Sequence, residues 1–192
     1  MRIKLNFIDY EEARLIEKAI SGNKQSFGRL YDKYYQNILG YLFIRLNNKE
    51  DAEDMTEVVF LKVWDHIPEF GKRNRGKNFR AWLYRIAHNT VVDHYRTRKN
   101  TESLDFEQRS LEPQPETLLI KSEEKGKIVH AIQQLDRSAQ NVIACRFFGG
   151  LSSKETALSM KLSENNVRVI QYRALKKIRE LLMENDEYKE KC

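Results

Sequence analysis

Two helix starts are written in side-chain chemistry close together near the C-terminal end of the chain. They leave few options for what that stretch becomes. It is Gly149 to Leu182, GGLSSKETALSMKLSENNVRVIQYRALKKIRELL. Ser152-Ser153-Lys154-Glu155 fits a capping box: the Ser152 hydroxyl accepts from the third helical amide, and Glu155 reaches back to the Ser152 amide. Ser163 is a second N-cap, with Glu164 in the first turn where the helix dipole favours an anion. Between them Ala157, Leu158, Met160 and Leu162 leave room for one short helix and a tight turn. The second helix repeats apolar residues at Val167, Ile170, Ala174, Ile178 and Leu181, a helical period. Asn165, Asn166, Arg168, Arg173, Lys176 and Lys177 hold its other positions. A short capped helix, a turn and a longer basic helix describe a helix-turn-helix. Asn and Arg early in such a helix suit base edges, and later Lys and Arg suit phosphates. A solvated helical hairpin with a basic face would share these features, so the rest of the chain decides.

The remaining composition favours helices. Only three prolines and eight glycines occur in 192 residues, and 41% of residues are hydrophobic, enough for a buried core in one domain or two small ones. Formal net charge is +6, from 34 basic and 28 acidic residues. That is patterned charge suited to a polyanionic partner rather than a uniform field. Two cysteines, Cys145 and Cys192, make neither a disulfide framework nor a four-ligand zinc site; Cys145 reads as a small buried apolar residue. The N-terminus has no apolar run of signal-peptide length and no later stretch suits a membrane span, so a cytoplasmic location is expected.

The N-terminal half reads as four helices. The first covers Glu11 to Ile20, closed by Gly22. The second runs from about Gln25 to Leu46, with Phe27, Leu30, Tyr31, Tyr34, Ile38, Tyr41 and Leu42 on its core face. Asn47-Asn48 then caps a third helix with an acidic start, Glu50 to Asp54. Ala52, Met55, Val59 and Val63 form its buried stripe, with Phe60, Trp64 and Ile67 beside it. Pro68 is expected to end that helix, and Pro68 to Asn78 reads as a loop. The fourth helix carries Phe79, Leu83, Ile86, Ala87, Thr90 and His94 at core spacing. A second stripe on it reads Trp82, Arg85, Asn89, Asp93, Arg96. From Lys72 to Lys99 there are nine Lys or Arg and one acid.

Charge then reverses. Thr101 to Thr117 holds five acids, one Arg and two prolines, a linker by composition. After it, Leu118 to Gln134 reads as a helix with Ile128, Ile132 and Leu135 on one face. Asp136 caps the next, whose buried set is Ala139, Val142, Ile143 and Phe147, and Gly149-Gly150 ends it. The fold class expected is all-α: two small helical domains, 1–99 and 118–185, joined by a flexible acidic linker at 100–117 and followed by a tail at 186–192.

No constellation argues for catalysis. His88 and His94 do not share a helical face, and Asp51, Glu53 and Asp54 suit a helix N-terminus better than a metal. No phosphate-cradling loop, nucleophile elbow or paired-cysteine motif occurs. No cofactor, no metal and no enzyme activity are expected. Instead, Lys72 to Lys99 interleaves cations with Phe79, Trp82, Tyr84 and Tyr95. Cations suit phosphates, and ring faces suit unstacked bases at about 1–3 kcal/mol each. Phe79 reads as core; Trp82, on the polar stripe, suits either role.

These residues resemble a bacterial sigma factor of the sigma-70 family, of the small extracytoplasmic-function (ECF) type. Asp51-Ala52-Glu53-Asp54-Met55-Thr56 through Phe60 and Trp64 is similar to the family's DAED-x-x-Q-x-x-F-x-x-x-W helix, with Thr56 where Gln is commoner. Phe79-Arg80-Ala81-Trp82-Leu83 through Asn89, with Asp93 and Arg96, is similar to its F-x-x-W-L-x-x-I-A-x-N signature. Gly150-Leu151-Ser152 through Arg168 resembles its −35-reading region, with Met160-Lys161 where the turn usually carries Gly. The resemblance implies contacts to core RNA polymerase by Asp51, Glu53, Asp54, Thr56, Glu57, Phe60, Lys62 and Trp64. It implies −10 binding and strand opening by Lys72, Arg73, Arg75, Lys77, Asn78, Arg80, Trp82, Arg85, Asn89 and Arg96. It implies −35 reading by Ser163, Glu164, Asn165, Asn166, Arg168, Gln171, Arg173, Lys176 and Lys177. Promoter DNA, core polymerase and an anti-sigma factor are the partners implied, with no membrane insertion. A stand-alone helix-turn-helix regulator is the alternative. A nuclease would need a carboxylate or histidine cluster that the sequence lacks.

Overall fold

The computed structural model describes residues 7–73, 78–102 and 123–190, with side chains placed over 10–72, 78–97 and 125–183. Among these residues the chain is all-α. The helices are α1 (Phe7–Ile20), α2 (Lys24–Leu46), α3 (Lys49–Arg73), α4 (Phe79–Glu102), α5 (Glu123–Gln133), α6 (Arg137–Ile143), α7 (Ser153–Met160) and α8 (Glu164–Glu190). A π-helical turn, Ala144–Phe148, follows α6. Residues 103–122, including most of the expected acidic linker, lie outside the described residues.

Local chemistry sets the boundaries. Asn23 caps α2 by accepting from the Ser26 amide at 2.8 Å. Asn47, with φ of 52°, ends α2 in the left-handed region, and Asn48 accepts from the Asp51 amide to open α3. Short polar side chains tolerate both positions. Asn78 caps α4 through the Ala81 amide, and Asp136 caps α6 through those of Ser138 and Ala139.

Three sequence expectations change. First, Pro68 does not end α3, which continues to Arg73. An interior proline costs about 3 kcal/mol, and burying an Ile or Phe returns about 1.5–3 kcal/mol each. Ile67 and Phe70, 1% and 5% exposed, flank the proline and hold the helix through it. Second, Phe147 is 55% exposed rather than core. The π turn inserts extra backbone per turn. The Gly149 amide reaches back to the Ala144 carbonyl and the Leu151 amide to that of Cys145. The register slips, Phe147 swings outward, and Phe148 packs on the core. Third, Ile128 is exposed; Ala131, Ile132 and Leu135 are the buried residues of that segment.

The two halves pack on each other. Leu30, Ile38, Leu42 and Tyr84 from the first half share one apolar cluster with Ala131, Ile132, Ile143, Leu151 and Ile178 from the second. Helix α2 lies against the π turn, and α4 lies against α7. The helix-turn-helix also keeps a small cluster of its own: Val142, Ala157 and Val167, with Met160, Leu162 and Ile170 around them.

Candidate nucleic-acid interface

The helix-turn-helix forms as its caps dictate. Both arms of the capping box are present: the Glu155 amide bonds the Ser152 hydroxyl at 3.2 Å, and Glu155 accepts from the Ser152 amide at 2.7 Å. Lys161 occupies the left-handed position of the turn, φ 56°, and its amide bonds the Ala157 carbonyl. Ser163 caps α8 through the Asn166 amide at 3.1 Å. Val167, Ala174, Ile178 and Leu181 are buried along one side of α8. Ser163, Asn165, Asn166, Arg168, Arg173, Lys176 and Lys177 are exposed, while Glu164 and Gln171 are half-buried. Glu164 pairs with Arg168 at 2.6 Å, and Gln171 accepts from Arg146 at 2.9 Å, so Gln171 is turned toward the protein.

On α4 the expected strand-opening residues divide. Trp82, Arg85, Asn89 and Arg96 do share a face, as their spacing requires. Trp82 is only half-exposed: its ring packs 4.7 Å from Phe70 and 5.7 Å from Phe79. Asn89 and Arg96 are exposed, with Arg96 bonded to Asp93 at 3.2 Å. Three others are engaged by the second half. Asn78 donates to Glu155 at 3.1 Å, Arg80 to the Gly150 carbonyl at 2.6 Å, and Arg85 to the Leu158 carbonyl at 3.2 Å. Arg80 also faces Glu155 at 3.4 Å. Burial acts to raise the Glu155 carboxyl. The hydrogen bonds from Ser152 and Asn78 and the charge of Arg80 outweigh it and hold the group below its usual range. The Nε atoms of Arg80 and Arg85 are buried without an acceptor among the described residues. Lys72 is exposed; the Arg73 side chain, Arg75 and Lys77 lie outside the described side chains.

The residues expected to touch polymerase do not form one surface. Thr56 is fully buried, its hydroxyl bonded to the Ala52 carbonyl at 2.6 Å, so its side chain is not on the surface. Its place one turn after Ala52, on the same buried ridge, is the reason. Asp51 and Lys62 turn toward α4: Asp51 lies 3.9 Å from His94, and Lys62 lies 3.6 Å from Asp93. Asp54 is exposed and Glu53 half-exposed, near Lys49. Glu57, Phe60 and Trp64 instead line an open groove of about 440 Å³ with Lys24, Phe27, Tyr31 and Leu61. Phe27 and Trp64 meet edge to face at 4.9 Å, and Tyr31 and Phe60 meet at 4.6 Å. The sequence pointed to only one wall of this groove. Phe27 and Tyr31 read there as core, because an aromatic helix face looks the same whether neighbouring helices cover it or leave it ajar.

Between the halves sits a small polar group. The Tyr41 hydroxyl lies 3.5 Å from both His88 Nδ1 and Asn141 Oδ1. Burial, and secondarily Arg45, lower the His88 pKa. Cys145 is 2% exposed, and burial pushes its thiol up to about 12, which leaves it unreactive. No group of three or more potential metal ligands occurs among the described residues, and no helix among them is long and apolar enough to cross a membrane.

A cationic helix face and a helix-turn-helix on one chain suit a DNA-binding transcription protein. Residues 30–101 match the family model Sigma-70 region 2, and residues 131–180 match Sigma-70, region 4. The chain is 34% identical to the ECF RNA polymerase sigma factor BldN of Streptomyces coelicolor over 91% of its own length and 68% of that protein's. It is 30% identical to the ECF sigma factor SigX of Bacillus subtilis, over 84% and 87%. It therefore belongs to the ECF family of RNA polymerase sigma factors, the subunits that direct promoter-specific initiation. The solved structure of CnrH with the cytosolic domain of CnrY shares its fold, at a TM-score of 0.65 and 24% identity, over 90% of this chain and 97% of that one. So does RpoE of Bartonella quintana, solved with the anti-sigma factor NepR, at 0.65 and 18%, over 83% and 98%.

Proposed function

We propose that this sigma factor divides its work among three surfaces. The groove of Phe27, Tyr31, Phe60, Leu61 and Trp64, rimmed by Lys24 and Glu57, docks on core RNA polymerase. The face of α4 from Asn78 to Arg96 holds the opened −10 strand, with cations on phosphates and the free edge of Trp82 against a base. Helix α8 reads the −35 duplex. The carrying observation is that two cationic helices and an aromatic groove left open by the described residues coexist on one chain, a combination that a stand-alone regulator does not need. The chemistry is binding alone, with no catalytic step of its own.

This division places a demand on the packed state. Asn78, Arg80 and Arg85 cannot hold a DNA strand while they hold α7. Engaging the −10 element therefore means undocking the second half, and polymerase binding supplies the drive by fixing the two halves at separate points on one promoter. Family membership also makes an anti-sigma factor the regulatory partner to expect, one that stabilises the packed state or covers the groove.

Run-off transcription on genomic DNA with core polymerase, with and without the chain, tests the reading. New 5′ ends that share upstream elements are the expected result. No gain over core polymerase alone would sink it, and tight operator binding without polymerase would favour the stand-alone regulator. Trp82→Ala is expected to slow strand opening more than closed-complex formation; equal loss in both would reduce Trp82 to packing.

A further inference from the structure

The outward face of α8 has an apolar centre that its cations conceal in sequence. At 3.6 residues per turn, Asn165, Val169, Tyr172 and Lys176 fall within about 60° of one line along the helix. That line lies opposite the buried ridge of Val167, Ala174, Ile178 and Leu181. Arg168 and Arg179 lie to one side of it and Arg173 to the other. Val169 is 48% exposed and Tyr172 72% exposed. A β-branched residue on an open helix face is a weak helix former, and here it contributes little burial to the fold. Exposed apolar residues are common singly. These two stand adjacent on the midline, between cations and beside an Asn.

We infer that Val169 reads a thymine in the upstream element by packing against its C5-methyl group, with Asn165 and Tyr172 beside it on the base-facing line. The inference rests on the reading of α8 as the duplex-reading helix. A helix lying in the major groove aims its midline at base edges and its flanks at the phosphate walls, and the thymine methyl is the one apolar group displayed there. From Asn165 to Tyr172 the helix rises about 10 Å, the height of about three base pairs. Arg168 stands on the flank and is ion-paired to Glu164 at 2.6 Å, a position that suits a phosphate rather than a base. The cationic flanks favour duplex DNA over an apolar protein partner as the occupant of this face.

Thymine-to-uracil replacement removes only that methyl. Holoenzyme assembled from core polymerase and the full chain would first select its upstream element from randomised duplexes. Each dT of the selected element is then replaced by dU in turn. At one position the wild-type holoenzyme is expected to bind about 4-fold more weakly, the worth of one buried methyl group. Val169→Ala holoenzyme is expected to bind the dT and dU duplexes equally, and Arg168→Ala to lose affinity for all duplexes alike. Val169 lies on the surface, and a thermal melt checks that the variant folds; Val169→Thr, which keeps one methyl, serves as the second variant and should retain part of the discrimination. The inference is overturned if no dU position matters, or if Val169→Ala keeps the full dT preference. If selection enriches no upstream sequence at all, the reading of α8 itself fails.

Discussion

The ring of Tyr84 fills the space that a side chain at Gly149 would need. The Tyr84 hydroxyl donates to the Gly149 carbonyl at 2.9 Å, and a Cβ on Gly149 would stand 2.6 Å from Tyr84 Cε1. Gly149 has an ordinary φ of −81°, so its glycine is required by space and not by backbone conformation. Tyr84 is 1% exposed on α4, and Gly149 follows the π turn. Their contact is one of the places where the two halves of the sigma factor meet.

Gly149→Ala should therefore unlock them. Overpacking of this kind costs about 1–3 kcal/mol, and the strain falls on docking rather than on either half's own helices. The expected result is a larger radius of gyration by small-angle scattering with unchanged helical circular dichroism. A variant as compact as the parent would show that the Tyr84–Gly149 contact does not govern docking.

The seam should also respond to pH. His88 has its pKa lowered, chiefly by burial, so the packed state prefers the neutral ring. A lowered folded pKa means stability is intact above the ordinary value of 6.5 and falls as pH drops below it, because the unfolded chain then binds the proton more readily. Glu155, also lowered, acts further down: its contribution is present above 4.5 and is lost as pH falls through its folded pKa. Urea unfolding at stepped pH should show stability declining below about pH 6.5, and His88→Gln should flatten that first slope. An unchanged slope in the variant would assign it to another group.

Lys161→Gly should stabilise the helix-turn-helix by up to about 1 kcal/mol, since Lys161 holds φ of 56° at the cost of its Cβ. Thermal melting reads this directly. Lys161→Val should do the opposite, and a fall in melting temperature with Gly would mean the Lys side chain contributes more than its backbone costs.

Polymerase affinity should separate two residues of α3 that the family motif treats alike. Trp64→Ala removes a wall of the aromatic groove and should weaken core binding by about 2 kcal/mol, the scale of an interface anchor. Asp51 faces His94 on α4, so Asp51→Ala should leave core binding nearly unchanged. A titration of labelled chain against core polymerase distinguishes them; equal losses would move the docking surface off the groove.

The helices were legible because each carries its own signals. Ser152, Glu155 and Ser163 act within a turn or two of backbone, and Ala52, Val59 and Val63 repeat with the helical period whatever they pack against. Where reading failed, a term outside the regular helical period had won. Burial of Ile67 and Phe70 carries α3 through Pro68, and a π turn displaces Phe147 from the face its spacing indicated. The candidate surfaces were legible as sets of residues but not as geometry. The family motif did not say that Thr56 is buried and Lys62 turned away while Phe27 and Tyr31 complete a groove, or that Val169 lies on the midline of α8.

By itself the sequence determined an all-α chain, the caps of its helix-turn-helix and a sigma-70 family pattern, because these depend on contacts within one helix or on residue types at set intervals. Only the tertiary structure decided that the halves dock through Tyr84 and Gly149, and that Asn78, Arg80 and Arg85 are held by the residues around α7. Those contacts join positions more than 60 residues apart. Their strength depends on shape and desolvation at a shared surface, which no periodicity within either partner records.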